Sequence, residues 1–192
     1  MSITPGQALD RLKEGNKRYT AAKTNFTGIT AELLNNLYKN GQFPYATILG
    51  CSDSRVPVEL VFDAGPGELF VIRTPGNVAG PLELGSVEFG VLALKSSLVV
   101  VLGHQKCGAA YAAVDGVECS EGMEFFMKEI RQAVPKEACD DPYTACEDEN
   151  VRLTLEKIKS HPPIANAYKE GLVDFAAGKY SLETGAVTFF DL

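Results

Sequence analysis

Three short runs of apolar, largely β-branched residues constrain this chain more than any other feature. YATILG (45–50), LFVIR (69–73) and SLVVVLG (97–103) show no alternation of apolar with polar residues. A strand with one wet face alternates, whereas a strand covered on both faces does not. Between the second and third runs lies ELGSVEFGVLALK (83–95), with Leu84, Val87, Val91 and Leu94 at helical spacing. Strand, helix and strand in that order favour a parallel sheet, so the fold class is α/β.

The flanking segments are helical. Thr4 followed by Pro5 is an N-cap and first-turn pair, after which Leu9, Leu12 and Tyr19 recur at helical spacing. Thr30 caps a second amphipathic helix carrying Leu33, Leu34 and Leu37, with Gly41 as its stop. Such an arm can lie on its own core or on a neighbour's. From Asp115 to Asn150 there are eleven carboxylates against Lys128, Arg131 and Lys136, which reads as a solvated helical excursion. A helix over roughly 143–160 follows, and His161-Pro162-Pro163 breaks it, with Pro163 able to open another. The tail KYSLETGAVTFFDL places Thr184-Gly185 as a turn between two short strands. Without a linker, repeat or low-complexity tract, residues 1–192 read as one domain.

Charge and cysteine usage narrow the function classes. Lys and Arg number 18 against 25 Asp and Glu, a net charge of -7, which is no surface for nucleic acid. No window reaches the length of a membrane span. The opening MSITPGQALD lacks the basic head and apolar run of a secretory signal. Five cysteines do not form a disulfide framework, and a reducing, cytoplasmic home is expected.

Two polar segments follow buried runs directly. CSDSRVP (51–57) comes after YATILG and GHQKCGA (103–109) after SLVVVL. Ligands in open α/β sheets collect outside the carboxyl ends of strands, so these loops can face one another. They carry Cys51, Asp53, Arg55, His104 and Cys107. Two cysteines and one histidine with a fourth position open is a catalytic zinc pattern, but free cysteine is often only a small buried hydrophobe. An iron–sulfur cluster would ask for four cysteines in tighter groups, and thioredoxin-like chemistry for a CxxC pair, which the chain lacks. Asp53 and Arg55 read either as a surface pair or as a dyad in which arginine keeps the carboxylate ionised. Cys119, Cys139 and Cys146 read as buried hydrophobes, and His161 as a loop residue.

Taken together, CSDSRVP, GELFVIRTPGN (67–77), GSVEFGV (85–91) and VVLGHQKCGA (100–109) resemble a β-class carbonic anhydrase in order and separation. The specific match covers roughly residues 42–115. The resemblance implies one zinc per chain held by Cys51, His104 and Cys107. It implies that Asp53 either pairs with Arg55 or swings onto the zinc in a closed state. It also implies substrate contacts from Gln42, across a dimer interface, from Phe70 and from Gly108. The implied fold is a mainly parallel sheet with helices on both faces and an N-terminal helical arm around a partner in a homodimer or a multiple of one. The domain then divides into the arm (1–41), the zinc-site core (42–115) and helices with C-terminal strands (116–192). Phe89 stands where many members have tyrosine, Thr74-Pro75 where Asn and a small residue are common, and Ile48 where one subgroup has the tryptophan of a regulatory bicarbonate site.

The implied activity is reversible hydration of carbon dioxide to bicarbonate and a proton, by attack of zinc-bound hydroxide. The same scaffold could instead hydrolyse carbon disulfide or carbonyl sulfide. A non-enzymatic zinc–thiolate redox sensor is a third reading, against which the Asp53–Arg55 dyad argues. No nucleic acid or membrane partner is expected.

Overall fold

The structure is a computed structural model that describes residues 3–26 and 28–191. Helix α1 (Pro5–Thr20) opens as the sequence predicts: the Thr4 hydroxyl accepts from the Gln7 amide and the Gln7 side chain accepts from the Thr4 amide. Helix α2 (Ala31–Asn40) starts at a Thr30 cap and stops at Gly41, whose φ is 78°. Strand β1 (Ala46–Cys51), helix α3 (Val58–Val61), strand β2 (Leu69–Thr74) and helix α4 (Pro81–Glu88) follow. Strand β3 (Leu98–His104) then leads into helices α5 (Gly108–Val114), α6 (Glu121–Ile130), α7 (Pro142–Ser160) and α8 (Pro162–Lys169). The chain closes on strands β4 (Asp174–Tyr180) and β5 (Val187–Phe189).

The sheet order is β2-β1-β3-β4-β5, with β5 alone antiparallel to its neighbour. The chain moves outward from β1 to β2, then crosses back to β3 on the other side of β1. That reversal opens a crevice at the carboxyl ends of β1 and β3. Each of these strands is buried along its whole length, which explains their unbroken apolar runs. Ile48, Val100 and Leu102 pack with Leu12 of α1 and Val58 and Val61 of α3. Leu49, Val99 and Val101 pack on the other face with Val151, Leu155 and Ile158 of α7 and Ile164 of α8. Helices therefore cover both faces.

The two arm helices behave differently. Helix α1 lies on its own chain: Asn16 donates to the Val61 and Gly185 carbonyls and accepts from the Val187 amide. At Gly15 the helix comes so close to the next layer that a Cβ would sit 1.9 Å from the Phe62 carbonyl oxygen. Helix α2 buries no residue, and Tyr38 is 89% exposed.

Some expectations need correction. The helix predicted over 83–95 is α4 followed by a wider π turn at Phe89–Ala93, in which the Leu94 amide reaches back to the Phe89 carbonyl. Gly90 is pressed onto β1 there, since a Cβ would lie 2.3 Å from Thr47 Oγ1. Strand β4 begins at Asp174, earlier than the tail pattern suggested, because Ala176, Ala177 and Gly178 carry little strand propensity. The acidic stretch is not wholly solvated: Met127 and Ile130 of α6 enter the core, and Glu147 of α7 is 5% exposed. Cys146 is buried as expected, but Cys139 is exposed, and Cys119 is half-buried and accepts a hydrogen bond from Arg131. His161 joins α7 to α8, with Nε2 3.2 Å from Glu88 Oε2.

Candidate metal centre

Strand ends supply two of the candidate ligands. Cys51 is the last residue of β1 and His104 the last of β3, adjacent strands whose parallel register brings their carboxyl ends together. Cys107 is the N-cap residue of α5. The loop between His104 and Cys107 is short, and Lys106 takes a left-handed φ of 53° that turns the chain back. The Gln105 amide is tied to the Tyr180 carbonyl of β4 at 3.0 Å. As a result, one ligand atom from each of Cys51, His104 and Cys107 lies within 4.8 Å of the others, and all three residues are buried.

The chemistry of this donor set fits a metal ion. His104 Nδ1 lies 2.8 Å from the Gln105 carbonyl oxygen, which accepts a hydrogen bond only from the Nδ1–H tautomer, and in that tautomer Nε2 keeps its lone pair. That Nε2 is buried and has no hydrogen-bond partner. Hydrogen bonding from Cys107, opposed by burial, holds the Cys51 thiol well below its ordinary value. The Cys51 thiolate, together with burial, then pushes the Cys107 thiol up, so both sulfurs do not ionise side by side unaided. A dication among them stabilises two thiolates and a neutral imidazole at once.

Asp53 sits beside the cluster, with Oδ2 3.9 Å from His104 Nε2. Arg55 Nε donates to Asp53 Oδ1 at 2.9 Å and Nη2 to Oδ2 at 2.7 Å, while the Arg55 amide also donates to Oδ1 at 2.9 Å. The Arg55 side-chain hydrogen bonds come first among the causes that hold the Asp53 carboxyl well below the usual range, against the effect of burial. Arg55 Nη2 donates as well to the Lys106 carbonyl, linking the two loops. In this arrangement Asp53 is paired with arginine.

Two of the three remaining predicted residues lie elsewhere. Gln42 is exposed beyond the amino end of β1, opposite to Cys51. Phe70 stands on β2 in register with Thr47, and its ring lies 6.0 Å from that of Phe89. With about 3.3 Å per strand residue, Phe70 is on the order of 13 Å along the sheet from Cys51. Within one chain, then, neither Gln42 nor Phe70 reaches the cluster. Gly108 does adjoin it, at the first position of α5, and a Cβ there would meet open space.

Three supporting residues escaped the sequence reading. Arg73 Nε donates to the Cys51 carbonyl at 2.9 Å and Nη2 to the Asp53 carbonyl at 2.6 Å. Asn150 Nδ2 donates to the Gly76 carbonyl at 2.6 Å, and the Cys107 amide donates to Glu147 Oε1 at 3.1 Å. A signal for Glu147 was present: the apolar stripe Ile158, Leu155, Val151 of α7, continued by one turn, lands on it.

A switch-point crevice in a doubly covered α/β sheet here carries two cysteines, a histidine and an arginine-paired aspartate, a donor set that could hold a metal ion. The chain belongs to the carbonic anhydrase family, whose profile matches residues 46–187, and its fold is that of the β class. Carbonic anhydrase 2 of Mycobacterium tuberculosis is 43% identical over 116 residues, which are 60% of this chain and 56% of that protein. The chain thus matches little more than half the length of that relative. A carbonic anhydrase of Pseudomonas aeruginosa is 32% identical over 165 residues, covering 78% of this chain and 74% of its own. Among solved structures, the β-carbonic anhydrase CafA of Aspergillus fumigatus superposes with a TM-score of 0.74 at 27% identity, over 97% of this chain and 90% of its own. A tetrameric β-carbonic anhydrase of Sordaria macrospora, at 21% identity, shares the fold with a TM-score of 0.77 over 93% and 94% of the two chains.

Proposed function

We propose that this protein is a zinc-dependent carbonate dehydratase that interconverts carbon dioxide with bicarbonate and a proton. The observation that carries the reading is the buried Cys51–His104–Cys107 cluster, with its unpartnered imidazole nitrogen, beside an aspartate locked to arginine. Cys51, His104 and Cys107 would hold one zinc ion per chain. Zinc bound there supplies a Lewis acid that makes water a nucleophile near neutral pH.

The chain's own residues do the rest. Asp53, kept ionised by Arg55, can only accept hydrogen bonds, so it orients the hydrogen of the attacking water and leaves the oxygen lone pair free for carbon dioxide. Arg55 also keeps the Asp53 carboxylate from turning onto the ion and closing the site. Gly108 leaves open space at the first turn of α5. Gln42 and Phe70 join the site from a second copy of the chain, a homodimer or a multiple of one. The unburied face of α2 and the exposed side chains of Leu34, Tyr38 and Phe43 support such pairing. A cytoplasmic, reducing home would keep the chain's five cysteines as thiols and suits a thiolate metal site.

The test is metal content paired with hydration kinetics. One equivalent of zinc and stopped-flow acidification on mixing with carbon dioxide are expected. Sulfide release from carbon disulfide or carbonyl sulfide without carbon dioxide hydration would overturn the assignment in favour of a hydrolase. Metal binding with no turnover of any of these substrates would favour a sensor.

A further inference from the structure

We propose that Glu147 is a positioning residue of the metal centre: its carboxylate, clamped by Lys179, anchors the backbone of Cys107 and sets how strongly that cysteine donates to the ion. The proposal rests on the metal-centre reading above. It starts from a group that is costly to bury. The Glu147 side chain is 3% exposed, and a carboxylate so placed is costly unless it is paired and hydrogen-bonded. Both oxygens are engaged. Oε1 accepts from the Cys107 amide at 3.1 Å, and Oε2 lies 2.7 Å from Lys179 Nζ.

Lys179 is itself largely buried and also pairs with Asp148 Oδ1 at 2.8 Å. It stands on β4 in register with Gly103, the residue before His104. The ion pair therefore ties α7 to the strand beside the histidine ligand, while the Glu147 carboxylate reaches forward to the cysteine ligand. One helical turn further along α7, Asn150 holds the Gly76 carbonyl in the loop after β2. A single face of α7 thus braces two of the loops at the carboxyl edge of the sheet.

Charge makes the carboxylate more than a strut. A neutral amide oxygen would accept the same hydrogen bond. Glu147 sets a full negative charge against the amide of the residue whose sulfur faces the cluster, which an uncharged acceptor would not. Partners of this kind orient metal ligands and tune their basicity, and losing one typically costs about 10–100-fold in metal affinity.

The experiment separates anchoring, charge and general stability. Zinc affinity is measured on the full chain by competition with a chromogenic chelator, and the visible spectrum is recorded with cobalt(II) in place of zinc. Glu147→Ala should lose about 10–100-fold in zinc affinity. Glu147→Gln, which keeps an acceptor for the Cys107 amide, should recover most of that loss but shift the thiolate-to-cobalt charge-transfer band. Ile158→Ala, a core truncation further along α7, should lower stability and leave both readouts unchanged. Wild-type affinity in Glu147→Ala, or an unmoved band in Glu147→Gln, overturns the proposal while the metal-centre reading stands. A wild-type chain that takes up neither ion overturns both.

Discussion

Asp53 and Arg55 meet through two parallel hydrogen bonds, Nε to Oδ1 and Nη2 to Oδ2, only two residues apart in the chain. The Arg55 amide closes the same turn onto Oδ1, so the carboxylate is held by backbone as well as side chain. Asp53→Asn keeps the shape but presents an NH2 group where an acceptor is needed. It should retain zinc and lose about 100-fold or more in kcat. Arg55→Lys should also lose turnover with zinc retained, because an ammonium cannot reproduce a bidentate fork. Zinc analysis and stopped-flow hydration on the same preparations check both. Near-normal turnover in the two variants would remove the dyad from the mechanism.

Cys107→Ser probes the donor set itself. A hydroxyl is a poor replacement for a thiolate toward zinc, and the substitution also removes the sulfur whose ionisation a dication favours. The variant should purify with a small fraction of the zinc found in the wild type, while its far-ultraviolet circular dichroism stays that of the folded chain. Full zinc by elemental analysis would exclude Cys107 as a ligand.

Much of this site could be read from strand ends, because β1 and β3 are buried on both faces and each apolar run stops where a polar loop begins. Cys51, Asp53, Arg55, His104 and Cys107 all fall within a few residues of those stops. Glu147 could not be read so easily, since one carboxylate among the eleven from Asp115 to Asn150 looks like solvent-facing charge until the α7 stripe is traced through it. Lys179 was hidden for a related reason: β4 is built of small residues and its pattern does not announce a buried strand. The π turn at Phe89 is likewise invisible to helical spacing, because Gly90 is pressed onto Thr47 by tertiary packing alone. Whether α1, the first helix of the arm, lies on its own core was also beyond periodicity. Asn16, a polar residue on the buried face of α1, settles it by stitching three backbone groups of the same chain.

Gly15 tests that docking. A methyl group at this position would collide with the Phe62 carbonyl at 1.9 Å, and backbone cannot yield as a side-chain tip can. Gly15→Ala raises intrinsic helix propensity, yet it should destabilise the chain by about 1–3 kcal/mol because α1 must lift from α3. Urea unfolding monitored by circular dichroism provides the measurement. Unchanged or increased stability would mean that α1 does not pack as described.

Asp63 connects the same region to pH. Its side chain is fully buried, beside Arg18. Burial alone would raise its pKa, but the Asn25 and Phe26 amides and the Arg18 guanidinium donate to it and together hold it below the usual value. A carboxyl whose folded pKa is depressed stabilises the fold fully above its unfolded pKa of about 3.9. That contribution is lost as pH falls from there through the folded value. Asp63→Asn isolates the charge, since asparagine tolerates the left-handed φ of 47° that Asp63 adopts. Its NH2 group would face donors, so the variant should be less stable than wild type near neutrality by about 1–3 kcal/mol. The difference should shrink as pH drops below about 4, where wild-type Asp63 begins to protonate. Urea denaturation at neutral pH and at several points between about pH 3 and 5 reads this out. A gap between the two proteins that stays constant across that range would show that Asp63 ionisation does not contribute to the stability of the fold.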